Sequence, residues 1–205
     1  MFWLTGYDTF GYVFFQTLIL DQKGNIILLT RAPDLRQAQN TSNIEDIRIW
    51  VDKDQSNPTD DLKIILNELN LKGKRIGIEY EAYGMTGRNA LKLNKSLKDY
   101  CEVEDQSELI TKHRVIKSTE EIVYVKRAAE LADQALDEAW KYAKAGASKA
   151  KILAEMQRVV LEDGGDYPAN EYIIGSGHNA LLCSCLLYTS PSPRDLSTSR
   201  MPSSA

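Results

Sequence analysis

Along residues 2–31 apolar and β-branched positions run almost without interruption, the pattern of strands covered on both faces by other layers. Phe2-Trp3-Leu4-Thr5 reads as a short strand ended by Gly6, and Tyr12 to Leu20 as a second. Asp21-Gln22-Lys23-Gly24-Asn25 is a polar turn before the apolar run Ile26-Ile27-Leu28-Leu29-Thr30, which predicts a hairpin. Pro33 to Ala38 reads as a short helix with Pro in its first turn. Ile47-Arg48-Ile49-Trp50-Val51 alternates, as an edge or half-buried strand does.

The period then lengthens. Leu62, Ile65, Leu66 and Leu69 form one stripe of a helix over 58–71, with Asn57 as N-cap, Pro58 at its first position and Gly73 beyond its end. Lys74 to Tyr80 is a strand, Thr86 to Leu97 a helix, and Cys101 to Glu104 closes the unit. Alternating strands and helices predict crossover connections and an α/β layering of residues 1–110, with Ile26–Thr30 and Ile76–Tyr80 in one mixed sheet. A new unit starts at Ser118-Thr119-Glu120-Glu121, a capping box ahead of a helix reaching Ala145. Ile122, Val125, Ala129, Ala132, Leu136 and Ala139 are its expected buried face, and Gly146 its expected C-cap. A further helix spans Ile152 to Leu161 and ends at Gly164-Gly165. Tyr172-Ile173-Ile174 then reads as a strand running into Gly175-Ser176-Gly177, with no partner strand after it, so this second domain is expected to be started and not finished.

Composition narrows the class. With 205 residues, 43% hydrophobic and 26% charged, the chain is long enough for a real core and ordinary for a globular protein. A net charge of -4 provides no basic footprint for nucleic acid or for an anionic membrane. No apolar run approaches the roughly 20 residues of a membrane helix, and the start lacks the positive segment of a secretory signal. Cys101, Cys183 and Cys185 fit reduced thiols better than a disulfide framework, so the cytoplasm is the expected compartment.

The tail has a different character. Residues 190–205 are rich in Ser and Pro and poor in apolar side chains, which on composition alone is a disordered terminus. A sharper reading comes from the run Cys185-Leu186-Leu187-Tyr188-Thr189-Ser190-Pro191-Ser192-Pro193-Arg194-Asp195, which resembles the translated transposon adapter of short-read sequencing libraries. Ser199 to Ala205 resembles a translated flow-cell primer, and Leu196, Ser197 and Thr198 would fill a sample index. Residues 184–205 are therefore expected to be non-native, with trustworthy native sequence stopping at Cys183.

Residue spacing alone offers no active site. Gly175-Ser176-Gly177 lacks the third Gly and the following helix of a phosphate-binding fingerprint. His113, between Lys112 and Arg114, reads as a solvated linker residue, and His178 as a loop residue, neither in a metal spacing. Glu79 and Glu81 alternate onto one strand face, either as paired carboxylates or, more simply, as the polar end of a strand. Ser176 has no His and Asp partner in recognisable order.

Four motifs in order carry a resemblance. Trp3-Leu4-Thr5-Gly6-Tyr7, Arg75-Ile76-Gly77-Ile78-Glu79, the set Arg114, Lys117, Ser118, Glu121, Ile122, and Ile174-Gly175-Ser176-Gly177-His178-Asn179-Ala180 resemble the creatinase/aminopeptidase P (pita-bread, Xaa-Pro peptidase) family. The resemblance implies a creatinase-like N-terminal domain over 1–112, itself expected to lack its own N-terminus, with a mixed sheet flanked by helices. It implies a truncated start of an α+β pita-bread catalytic domain over 113–183. The implied parent is a hydrolase of a C–N bond, Xaa-Pro aminopeptidase- or dipeptidase-like, in which two divalent ions (Mn, Zn or Co) activate water. Creatinase-like members work without metal, and Tyr7 to Tyr12 and Thr41 to Arg48 look nearer to ectoine hydrolases, which act on small amino-acid derivatives. A non-catalytic binding member is the other class consistent with the motifs. The metal ligands would follow residue 183, so no catalytic residue and no metal is expected on this chain. In relatives of this fold the loop after the first L-T-G motif reaches the active site of the dimer partner. That assigns Tyr7, Asp8, Phe10 and Tyr12 to substrate binding across a homodimer, aromatic faces beside one carboxylate suiting a small zwitterionic or cationic substrate. The alternative is that Phe10 and Tyr12 are core residues at the start of a strand.

Overall fold

The computed structural model describes residues 1–9, 13–168, 170, 172–175 and 177. It divides into two compact units, Met1–Ile116 and a second beginning at Lys117.

The first unit opens with a single helical turn, α1 (Phe2–Thr5), where the apolar run predicts a strand. Local hydrogen bonding wins there. The Thr5 amide donates to Met1 O at 3.1 Å and the Gly6 amide to Phe2 O at 2.8 Å, and Gly6 stops the turn in the left-handed region. Strand β1 is Thr17–Leu20, shorter than the apolar run before it, because Phe15 is buried and its carbonyl accepts from the Trp50 indole at 3.0 Å. The Asp21–Asn25 turn delivers β2 (Ile26–Arg31) antiparallel to β1, as the hairpin pattern predicts. A 3-10 turn at Ala32–Asp34, carrying Pro33, leads into α2 (Leu35–Thr41). Strand β3 (Asp46–Trp50) then returns parallel to β2 on the sheet edge, giving the order β1-β2-β3.

Helix α3 (Pro58–Glu68) starts at Asn57, whose side chain accepts from the Thr59 hydroxyl at 3.0 Å rather than from a backbone amide. Strands β4 (Arg75–Ile78) and β5 (Glu102–Asp105) are parallel and flank α4 (Gly87–Leu97), which Thr86 caps by accepting from the Asn89 amide at 3.2 Å. Helix α5 (Leu109–Val115) ends the unit. The expectation of one sheet is corrected here: β2 lies in a mixed three-stranded sheet and β4 in a separate two-stranded one. The two share a core nonetheless. Phe15, Ile27, Leu29 and Trp50 pack with Leu62, Ile65 and Leu66 of α3 and Leu93 and Leu97 of α4, with Ile76 and Val103 against the same cluster. Apolar patterning reports this shared burial and is blind to which strand edges are hydrogen-bonded. Leu28, on the opposite face of β2, packs with Tyr7, Ala38 and Ile44 in a second cluster, so both faces of β2 are covered.

In the second unit α6 (Thr119–Tyr142) packs on α7 (Lys149–Glu162) through Leu131, Ala135 and Val160. This overturns the expected buried face. Ile122, Val125 and Leu136 are 39%, 50% and 51% exposed, because the α7 contact falls on the Leu131–Ala135 line and the longer stripe points away from it. The C-cap is Ala143, not Gly146, which lies in the following turn with φ 81°. Tyr172–Ile174 has no strand assignment among the described residues, and Tyr172 packs against the Leu131 cluster instead.

Candidate functional site

The Thr5-Gly6-Tyr7 corner sets the geometry of the candidate loop. Thr5 is buried, its hydroxyl donating to Met1 O at 3.0 Å and accepting from the Tyr7 amide at 3.2 Å. Gly6 has φ +77°, and a Cβ there would lie 2.9 Å from Thr41 O, so the corner presses the chain onto the end of α2. Asn43 completes the join, its amide donating to Thr5 O at 3.0 Å.

Tyr7 follows with no exposed surface, its ring in the cluster of Leu28, Ala38 and Ile44. Its hydroxyl donates to Gln16 Oε1 at 3.4 Å. Asp8 emerges on the surface, with its amide donating to Thr41 Oγ1 at 3.3 Å. The structure thus separates two of the four candidate residues, one packed inside and one displayed. Phe10 and Tyr12 lie outside the described residues. On the far side of the loop Arg31 stacks on the Phe14 ring at 3.5 Å and pairs with Asp34 at 3.1 Å.

Residue-type reasoning missed Gln16, which sits half-buried between Tyr7, Thr9 and Thr30. The available signal was a lone amide inside the run from Tyr12 to Leu20, where an alternating strand offers an apolar side chain.

The other expected positions carry no constellation. Glu79 and Glu81 are exposed and lie past the end of β4, so they do not share a strand face. The Gln106 amide makes the last bond between the strands, to Ile78 O at 2.9 Å, and beyond it Ser107 Oγ accepts from the Tyr80 and Glu81 amides at 2.9 and 3.2 Å. His113 is exposed in the last turn of α5, helical rather than in a linker; His178 and Ser176 lie outside the described residues. A groove of about 710 Å³ runs beside α4 and β5, past Tyr80, Asn94 and Cys101. Burial pushes the Cys101 thiol up from its ordinary value, which makes it a poor source of thiolate. Among the described residues no group of three or more His, Cys, Asp or Glu side chains can hold a metal ion, and no helix is long and apolar enough to cross a membrane.

Comparison with known proteins places this geometry. The family model of the creatinase/prolidase N-terminal domain matches residues 1–116, and that of metallopeptidase family M24 matches residues 124–197. The ectoine hydrolase of Halomonas elongata is 26% identical over 196 residues, covering 88% of this chain and 49% of that protein. A Xaa-Pro dipeptidase of Pyrococcus horikoshii is 31% identical over 110 residues, covering 53% of this chain and 30% of that protein. Among solved structures, the prolidase of Pyrococcus furiosus superposes with a TM-score of 0.67 at 21% identity, over 89% of this chain and 51% of that one. The chain spans about half or less of the length of these proteins. The M24 match implies a divalent metal in intact members, and the described residues here do not fit one.

Proposed function

This chain belongs to the creatinase/prolidase N-terminal-domain family, and we propose that it forms the N-terminal part of a hydrolase that cleaves a C–N bond in a small peptide or amino-acid derivative. The observation that carries this is the match over residues 1–116, followed in order by the metallopeptidase match over 124–197. Relatives named as an ectoine hydrolase and a Xaa-Pro dipeptidase keep both substrate classes open. The parent enzyme works in the cytoplasm as a homodimer and takes two divalent ions, Mn, Zn or Co, in its catalytic domain. The described residues of this chain include no group that could hold those ions, and the chain alone is inactive.

The role proposed for the N-terminal domain is substrate recognition by the Tyr7–Tyr12 loop across the dimer. Within it Tyr7 anchors, while Asp8 provides the charge that pairs with the amino group of a substrate and Phe10 and Tyr12 provide aromatic faces. The surface position of Asp8 and the burial of Tyr7 support this division. In the parent enzyme Asp8→Ala raises KM or lowers kcat/KM by about tenfold with little change in thermal stability. Unchanged kinetics in a folded dimer would remove the loop from recognition.

Residues 184–205 are proposed to be adapter-derived, on the strength of their resemblance to translated library sequence. The metallopeptidase match runs to residue 197, so the test belongs on the DNA. The source genome should depart from this sequence after codon 183; an uninterrupted match through codon 205 would overturn the reading.

A further inference from the structure

We infer that Gln16 is a positioning residue: it ties the residues on either side of Asp8 to the foot of β1 and to β2, and so sets where Asp8 stands. The inference rests on the recognition role proposed above for that loop.

Three segments meet at one amide. Gln16 Oε1 faces the hydroxyls of Tyr7 at 3.4 Å, Thr9 at 3.4 Å and Thr30 at 3.3 Å, and Nε2 donates to Thr9 Oγ1 at 3.2 Å. Tyr7 and Thr9 come just before and after Asp8, Gln16 stands at the foot of β1, and Thr30 lies in β2 with no exposed surface. Each bond is long, so their effect is collective. The two lone pairs of Oε1 suit the Tyr7 and Thr30 hydroxyls, while Nε2 gives one of its two hydrogens to Thr9 Oγ1. An apolar side chain at position 16 would leave the buried Tyr7 and Thr30 hydroxyls without this acceptor.

The other anchors nearby each hold a single point. Thr41 holds the Asp8 amide, and the Trp50 indole holds the Phe15 carbonyl at 3.0 Å. Gln16 differs from these anchors in joining Tyr7 and Thr9 to the foot of β1 and to Thr30 of β2. The neighbourhood argues for position over bulk stability, since Tyr7 otherwise packs on Leu28, Ala38 and Ile44, where Phe with an apolar neighbour would pack as well.

The test uses Gln16→Leu, which removes donor and acceptor, and Gln16→Glu, which keeps an acceptor for the hydroxyls. If Gln16→Leu does not fold, Gln16→Met keeps the length and removes the amide. In this chain, amide exchange at Tyr7 and Asp8, whose amides donate to Thr5 Oγ1 and Thr41 Oγ1, rises about tenfold in Gln16→Leu while exchange in β2 and β3 is unchanged, and Gln16→Glu restores most of the protection. In the parent enzyme the same variant raises KM about tenfold and leaves kcat within about twofold. Unchanged loop exchange, or exchange that rises equally through β2 and β3, would overturn the inference. KM that responds to Asp8→Ala and not to Gln16→Leu would overturn it too, while leaving the recognition role standing. Loop exchange that rises in Gln16→Leu, with KM indifferent to Asp8→Ala, supports the positioning and removes the recognition role instead.

Discussion

Ser118 and Glu121 close a reciprocal pair at the head of α6: Ser118 Oγ accepts from the Glu121 amide at 3.1 Å, and a Glu121 carboxylate oxygen accepts from the Ser118 amide at 2.7 Å. Two backbone donors that the helix itself cannot satisfy are met by neighbouring side chains. Ser118→Ala should cost about 1 kcal/mol of α6 stability, read from the urea midpoint of the helical signal. A change below about 0.2 kcal/mol would mean that the cap contributes nothing in this chain.

Gly6 and Gly24 both have positive φ, at 77° and 86°, but only Gly6 is also crowded. Around Gly24 nothing lies within 4 Å of the Cβ site, whereas at Gly6 that site is 2.9 Å from the Thr41 carbonyl. Gly24→Ala should therefore cost about 1 kcal/mol in backbone strain, and Gly6→Ala about twice that or more, because a backbone oxygen must also move. Thermal unfolding of the two variants side by side checks the order, and equal losses would show that the Gly6 corner yields.

How much of this was legible in the sequence depends on the range of the cause. The capping box, the Asp21–Asn25 turn, α3, α4 and the β1–β2 hairpin are set within a few residues by turn and cap chemistry, and each stands where the pattern puts it. Apart from the local turn of α1, what failed was set at a distance. The face of α6 depends on α7 arriving at Leu131 and Ala135, so a stripe containing Ile122, Val125 and Leu136 looked equally apolar and lies exposed. The split into two sheets depends on strand edges, which side-chain patterning does not report. At the candidate site, Asp8 was readable as the one charge between aromatic residues. Gln16 was not, because its meaning comes from Thr30, brought to it by the hairpin.

Glu155 links α7 to acid stability. Lys151 Nζ stands 2.6 Å and Arg158 Nε 2.8 Å from its carboxylate, and their hydrogen bonds hold it below its ordinary value of 4.5. A carboxyl lowered in the folded state adds stability above that ordinary value and gives it up as pH falls through the lowered one. The melting temperature should fall as the pH drops below about 4.5, and Glu155→Gln should flatten that limb while melting lower at pH 7. Superimposable pH profiles for the two proteins would contradict the assignment.

The central claim is hydrolysis of a C–N bond by the parent enzyme, and turnover measures it most directly. The intact protein encoded by the source gene should be purified as a folded species. It should then be assayed against a panel of Xaa-Pro dipeptides and against ectoine, with Mn, Zn or Co supplied and with no metal added. The account predicts release of free amino acid or ring-opened product from at least one substrate class, lost when the N-terminal domain is removed. A folded parent that binds these compounds and turns over none of them, with or without metal, would contradict it and establish a binding protein in place of an enzyme.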